Sequence, residues 1–318
     1  MEINTLKKDR NGFVNLEDYI RNNRSQNHYV FTDEKIKYYY KKSSSGTIVD
    51  YESNKLAFSD PALLAEIVNC RIVEKLGLEA VRYHLAKIGT SYGVVSQDFY
   101  ANHIDSIVLD DLLLMKDKEY NDNFDRSDCL KYISDKLYKD PINGNRLYGI
   151  TDKQMNDLGL ASLILVATGG RDGHIGNMAV YRHETDPAKD GVILYDFSNT
   201  YMSTLVDLSK IDNLERRYID GKVMAIFGVE ESLQQMDDYY LDLRISDYIQ
   251  TKTIETYLNN FENFMTNNSG MKEVVEDIEN EYGMKPDADY INGLNVILHN
   301  TGKEIEDAYD DRLIMVGE

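Results

Sequence analysis

The stretch "GGRDGHIGNMAV", residues 169–180, sets an aspartate, a histidine and an asparagine among four glycines. Asp172 lies five residues before Asn177, with His174 between them. A hairpin-like segment then leads to "LYDFSN", which puts Asp196 at the end of an apolar run. Three oxygen-bearing side chains on turns flanking one hairpin can converge. Such a set suits magnesium, which takes carboxylate and carbonyl oxygens and lets substrate phosphates complete its shell. It also suits phosphoryl transfer, which needs a positioned base for the incoming hydroxyl and a cation to spread charge. The Asp172/His174 pair by itself would also fit a metal hydrolase, but two-metal hydrolases spread more Asp and His ligands along the chain. Only six histidines occur here, without a second cluster.

Phosphoryl transfer of this kind needs a lysine on a strand, paired with a glutamate on a helix. "NHYVFTDEKIKYYYKK" reads as a β-hairpin around a polar Asp33-Glu34-Lys35 turn, and its second strand offers Lys41 and Lys42. "SDPALLAEIVNCRIVEKLGL" reads as a helix capped by Ser59 or Asp60, with Pro61 in its first turn and Gly77 closing it. That helix is apolar nearly all round, and Glu66 falls between Cys70 and Val73 on its wheel. A carboxylate there is at least partly buried and needs a cationic partner, which a lysine from the adjoining strand supplies. "EAVRYHLAKIGTSYGVVSQDF" reads as two more strands joined by a Gly89–Gly93 turn. From about residue 105 the chain reads as mainly helical. "TDKQMNDLGLASLILVATGG" opens on a capping box, Thr151 with Gln154. The segment from Asn177 to Phe197 reads as a hairpin with a long polar loop, and amphipathic helices follow, broken at "NNSG".

In this order of parts the sequence resembles the HipA-like bacterial serine/threonine kinases, including the shorter stand-alone CtkA-type members. The family's loop G-N-x-D-R-H-x-G-N-W-G reads here Gly169-Gly170-Arg171-Asp172-Gly173-His174-Ile175-Gly176-Asn177-Met178-Ala179. The resemblance carries the catalytic base to Asp172, the loop histidine to His174 and the metal ligands to Asn177 and Asp196. His174 is favoured as a brace for the loop over a proton carrier. The nucleotide lysine maps to Lys41, with Lys42 one residue away, and the helix glutamate to Glu66. "GVVSQDF" resembles the hinge strand, which would set the adenine against Val94–Phe99 with Val95 and Gln97 as contacts. The chain departs from the pattern at Gly170, Gly173 and Met178, and no G-x-G-x-x-G loop precedes the lysine. Asn22, Asn23 and Ser25 stand where that loop would be.

The resemblance implies an α+β, two-lobed protein-kinase-like fold. Residues 1–100 would form a β-rich N-lobe with one helix, and residues 101–318 a helical C-lobe carrying the catalytic hairpin. It implies ATP and Mg²⁺ as cofactors and a protein substrate with Ser/Thr, the chain's own serines at 43–45 included. Two alternatives stay open: a nucleotide-binding pseudokinase that acts as a binding module, and a kinase of a lipid or small molecule.

Composition sets outer bounds. The chain's 318 residues suffice for a sizeable core, and 42% hydrophobic with 28% charged residues is an ordinary globular mixture. Formal net charge is −20, which repels nucleic acid and anionic membranes, so neither is an expected partner. No apolar run approaches the ~18–20 residues of a membrane span. Two cysteines without metal-ligand spacing and a polar N-terminus fit a reducing, cytoplasmic setting, with export as an effector left open.

Overall fold

The computed structural model describes residues 6–9, 12–17, 28–33, 36–43, 55–56, 61–101, 103, 105–116, 150–168, 175–183, 186–198, 251–266 and 269–316. The sequence expectations for Asp172, His174, the Asn22–Ser25 stretch, Ser44, Ser45 and the helices between 205 and 250 lie outside these residues.

The hairpin at residues 28–42 is present. Strands β2 (His28–Asp33) and β3 (Ile36–Lys42) pair antiparallel, with His28 opposite Lys41. In β3, Tyr38 and Tyr40 are buried while Lys37 and Tyr39 are exposed, as the period-2 geometry of a strand requires; Lys42 shares the face of the two tyrosines but is exposed at the strand's end. Strands β6 (Tyr83–Ile88) and β7 (Ser91–Gln97) extend the sheet, and β1 (Val14–Asn15) adds in parallel at its edge. The order is β1-β6-β7-β3-β2. The turn between β6 and β7 is tighter than the sequence suggested. Gly89 makes it with φ of 57°, and Gly93 lies inside β7, opposite Lys42 and Ala86.

Helix α1 (Pro61–Lys75) begins at the proline and ends as expected at Gly77, whose φ is 100°. The Leu78 N–H donates to the Val73 carbonyl at 3.2 Å, a Schellman closure that only a left-handed residue at Gly77 permits. From Leu63 to Val73 every residue of α1 is buried, which its all-round apolar wheel dictates. Leu63, Leu64, Ile67, Val68, Ile72 and Val73 belong to one continuous core with Leu85 and Val94 of the sheet. A smaller core of Leu6, Val14, Leu16, Tyr38, Tyr40, Ala86 and Val95 lies apart from it.

The second sheet was only half foreseen. Strands β9 (Met178–Tyr181) and β10 (Gly191–Leu194) form the expected hairpin, with Met178 opposite Leu194. Two short strands complete it in the order β5-β10-β9-β8, with β5 spanning Glu79–Ala80 and β8 Ser106–Val108. Because β5 follows α1 directly and pairs parallel with β10, the helix is tied to the hairpin by backbone as well as by packing. Helix α2 (Leu109–Lys116) follows β8, and α3 (Asp152–Ala167) packs on β10. The capping box of α3 is made. The Gln154 N–H donates to Thr151 Oγ1 at 3.3 Å, and the Thr151 N–H donates to Gln154 Oε1 at 3.0 Å.

Helices α4 (Thr251–Met265), α5 (Ser269–Tyr282) and α6 (Ala288–Val316) follow. Of the break expected at 267–270, Ser269 and Gly270 instead open α5, where Gly270 faces the ring of Phe264; residues 267 and 268 lie outside the described residues. Strand β11 (Lys285–Pro286) pairs parallel with β4 (Lys55–Leu56). No helix among the described residues is long and apolar enough to cross a membrane.

Gly93 is the tightest point beneath the lysine strand. A Cβ there would collide with the Lys41 carbonyl oxygen and lie 2.8 Å from the Tyr40 ring. Gly93→Ala is expected to lose about 1–3 kcal/mol, a typical overpacking cost. Urea unfolding should show this as a lower midpoint at unchanged slope.

Candidate active site

β3 carries Lys41 opposite Val94, whose side chain packs in the core around α1. Lys41 therefore points toward the helix, while Lys42 points to the other face and is exposed. The Lys41 ammonium meets Glu66 Oε1 at 2.9 Å. It also meets Asp196 Oδ1 at 2.8 Å and Ser198 Oγ at 2.7 Å. An ammonium has three protons, so all three are used within the chain.

Glu66 has no exposed side-chain surface, whereas Asp196 keeps 43% of its own. The second oxygen of Glu66 accepts the Phe197 backbone N–H at 2.7 Å. One carboxylate thus ties the strand, the helix and the Asp-Phe turn. That turn is conformationally demanding, since Asp196 has φ of 57°, in the left-handed region that aspartate tolerates better than most residues. The Asp196 N–H donates to the Tyr83 hydroxyl at 2.9 Å, and the Tyr83 ring meets Phe197 edge-on at 6.4 Å. The Ser198 hydroxyl donates to Asp196 Oδ1 at 2.7 Å.

Asn177 ends a 3-10 turn, Ile175–Asn177, at the start of β9. Its carbonyl accepts the Tyr195 N–H at 3.1 Å, so the hairpin register holds Asn177 and Asp196 at the same end of one ladder. The Tyr195 hydroxyl donates to the Gly176 carbonyl and locks the turn further. The register thus sets an amide-bearing and a carboxylate-bearing residue side by side, residue types that suit a hard cation, which takes oxygen ligands and leaves positions for phosphate and water. Among the described residues no three His, Cys, Asp or Glu side chains gather as a protein-only metal cage.

The electrostatics follow from burial and pairing. Burial pushes the Glu66 carboxyl up to about 7, against the pull of Lys41 and of the Phe197 N–H. Burial also opposes charge on Lys41, but the Glu66 and Asp196 carboxylates outweigh it and hold the ammonium above its ordinary value. Asp196 moves the other way. Its burial is overcome by Lys41 and the Ser198 hydroxyl, which hold it at about 2.

Lys41, Glu66, Asp196 and the backbone of Asn177 are therefore brought to one place. Val95 is not, because it is buried in the smaller core with Tyr38 and Tyr40 and is laddered to strands on both sides. Gln97 ends β7 opposite Tyr38. Sequence reasoning missed Tyr83 and Ser198. Ser198 had a signal, since a serine two residues after an aspartate can bond back to it. Tyr83 had none, because its role arises only from tertiary placement.

No known family model and no curated protein matches the chain. Among solved structures, the crystal structure of the Helicobacter pylori proinflammatory kinase CtkA aligns with a TM-score of 0.61 at 15% identity, covering 96% of this chain and 99% of that one. The chain has the CtkA fold. The α+β architecture expected from the sequence, strands first and helices toward the C-terminus, is the architecture CtkA has. A Shewanella oneidensis HipA–HipB–operator DNA complex aligns more loosely, with a TM-score of 0.34 at 11% identity over 92% of this chain and 69% of that one.

Glu66→Ala removes a buried partner of Lys41 and orphans the Phe197 N–H, and it should cost about 3–5 kcal/mol in urea unfolding, as breaking a buried pair does. Glu66 also gives the stability a pH dependence. Its proton is held more tightly in the folded state, at about 7, than at the ordinary 4.5. The associated stabilisation is complete below pH about 4.5 and is lost as pH rises through about 7. Wild-type stability measured against Glu66→Gln should therefore fall across that window. A difference that stays flat contradicts the assignment.

Proposed function

We propose that the chain is an ATP- and Mg²⁺-dependent phosphotransferase, a serine/threonine protein kinase of the HipA-like kind that also phosphorylates itself. The observation that carries this reading is the Lys41 ammonium 2.9 Å from Glu66 and 2.8 Å from Asp196. Kinase-type transfer depends on a strand lysine held by a helix glutamate beside a metal-binding Asp-Phe turn. The fold likeness to the kinase CtkA supports the same reading.

In this reading residues 1–100 form the N-lobe and 101–318 the C-lobe, with the nucleotide between them. Lys41 would hold the α- and β-phosphates while Glu66 keeps it in place. The adenine would lie along the end of β7, against Gln97 and the residues up to Phe99 that follow the strand. Val95, packed in the outer core, is not part of the contact. Asn177 and Asp196 would hold Mg²⁺, which supplies neutralisation of the phosphate charge. Asp172 accepts the proton of the attacking serine or threonine hydroxyl on its carboxylate, five residues ahead of Asn177.

The test incubates the full chain with γ-labelled ATP, Mg²⁺ and a generic basic protein, and identifies the labelled residues. Label on serine or threonine is expected, on the added protein or on the chain itself. Asp172→Ala should lower transfer by about 10²–10⁴-fold, the usual contribution of a positioned base. Lys41→Ala and Asp196→Ala should abolish turnover, while Lys42→Ala, exposed on the other face, retains it. Undiminished transfer by Asp172→Ala overturns the reading. ATP binding with no transfer to any acceptor marks a binding module, and label found only on lipids or metabolites marks a small-molecule kinase.

A further inference from the structure

Arg71 is among the largest fully buried side chains, with 1% of its side chain exposed. It lies on α1, five residues beyond Glu66, and none of the chemistry described above uses it. A guanidinium without solvent is costly unless its donors are matched. Here Nε and Nη2 are matched by carboxylates of α5, and Nη1 by its own helix. Nε donates to Asp277 Oδ2 at 2.9 Å, Nη2 donates to Glu281 Oε2, and Nη1 donates to the Ile67 carbonyl of its own helix.

The two acceptors are held in turn. Glu281 Oε1 also faces Lys8 at 2.8 Å and the His84 ring on β6, and Asp277 takes Arg82 at 3.1 Å, which reaches Glu74 of α1 at 3.0 Å. A second anchor comes from α4, where the Asn260 amide donates to the Leu76 carbonyl at 2.9 Å at the end of α1. The C-terminal helices therefore grip the helix along the side away from Lys41. In kinase-type sites the placement of this helix decides whether the lysine–glutamate pair forms at all.

We infer that Arg71 is a positioning residue: by welding α1 to Asp277 and Glu281 of α5, it sets the depth and rotation of the helix that presents Glu66 to Lys41. The inference rests on the reading of Lys41 and Glu66 as nucleotide-site residues for its functional meaning, but the geometry it asserts is measurable without turnover. Because α1 is held by residues of the same chain, the pair is assembled before any nucleotide or modification arrives.

The experiment labels the full-length chain with an amine-reactive acylating reagent and follows Lys41 by mass spectrometry. Only the neutral amine reacts. In the wild type Lys41 should label slowly at a fixed pH, because Glu66, Asp196 and Ser198 engage all three of its protons. Arg71→Met should let α1 shift, loosen the contact with Glu66 and leave the amine open to the reagent, with severalfold faster labelling at the same pH. Ile278→Val, a core trim in α5 that leaves the ion network intact, serves as the stability-matched control. Should Arg71→Met not fold, Asp277→Asn, at the solvent edge of the network, gives the same comparison. Faster Lys41 labelling in the network variants with an unchanged rate in the control supports the inference. An unchanged rate in the network variants, or an equal rise in the control, overturns it. MgATP protection of Lys41 in the wild type is measured alongside. Its failure counts against the nucleotide reading and leaves the positioning result standing on its own.

Discussion

A single carboxylate with no exposed surface, that of Glu66, is the constraint around which the molecule is arranged. Ionising a buried carboxyl costs several kcal/mol unless both oxygens find strong donors. One oxygen finds the Lys41 ammonium and the other the Phe197 N–H. Those donors belong to segments 25 residues before and 131 residues after it. Strand, helix and turn cannot move independently without exposing the uncompensated cost. The apolar wheel of α1 creates the burial, and the burial creates the demand for precise partners.

The two faces of α1 divide the labour. The face toward the five-stranded sheet holds Glu66, where proton affinity is poised near neutrality and a lysine can exchange partners. The face toward α5 holds Arg71, whose charge does not titrate in the accessible range and whose acceptors are fixed by further cations. Titratable chemistry and permanent anchorage thus occupy opposite sides of one 15-residue helix. The surplus of acidic residues in the chain is partly spent here, since Asp277 and Glu281 are needed to bury a guanidinium.

Much of this was legible in the residues, and the failures are instructive. The helix at 61–75 could be read because its caps and its apolar wheel agree, and the position of Glu66 on that wheel forced the expectation of a cationic partner. Lys41 and Lys42 could not be separated by sequence alone, since neighbouring strand residues differ only in which face they take, and face depends on register. Tyr38 and Tyr40, buried on the face opposite Lys41, decide it. The same holds for Val94 and Val95, since Val95 shares the outer core with those tyrosines while Val94 shares the inner one with α1. Gly93 looked like turn chemistry but answers to close strand packing. The two-residue strand β5 and the Arg71 network were invisible, because β10 and the α5 carboxylates they pair with lie more than 100 residues away.

The saturation of Lys41 has a consequence for what can enter its site. When Glu66 is ionised, one ammonium stands between two carboxylates and the trio carries a surplus negative charge. A bare polyanion would face that surplus and could gain the lysine only by stripping it from Asp196, leaving a carboxylate unbalanced. An anion that arrives with its own divalent counter-ion offers Asp196 a replacement in the same event. On the proposed function, admission is an exchange of partners rather than an addition, and the arithmetic of charge favours the metal complex over the naked ion.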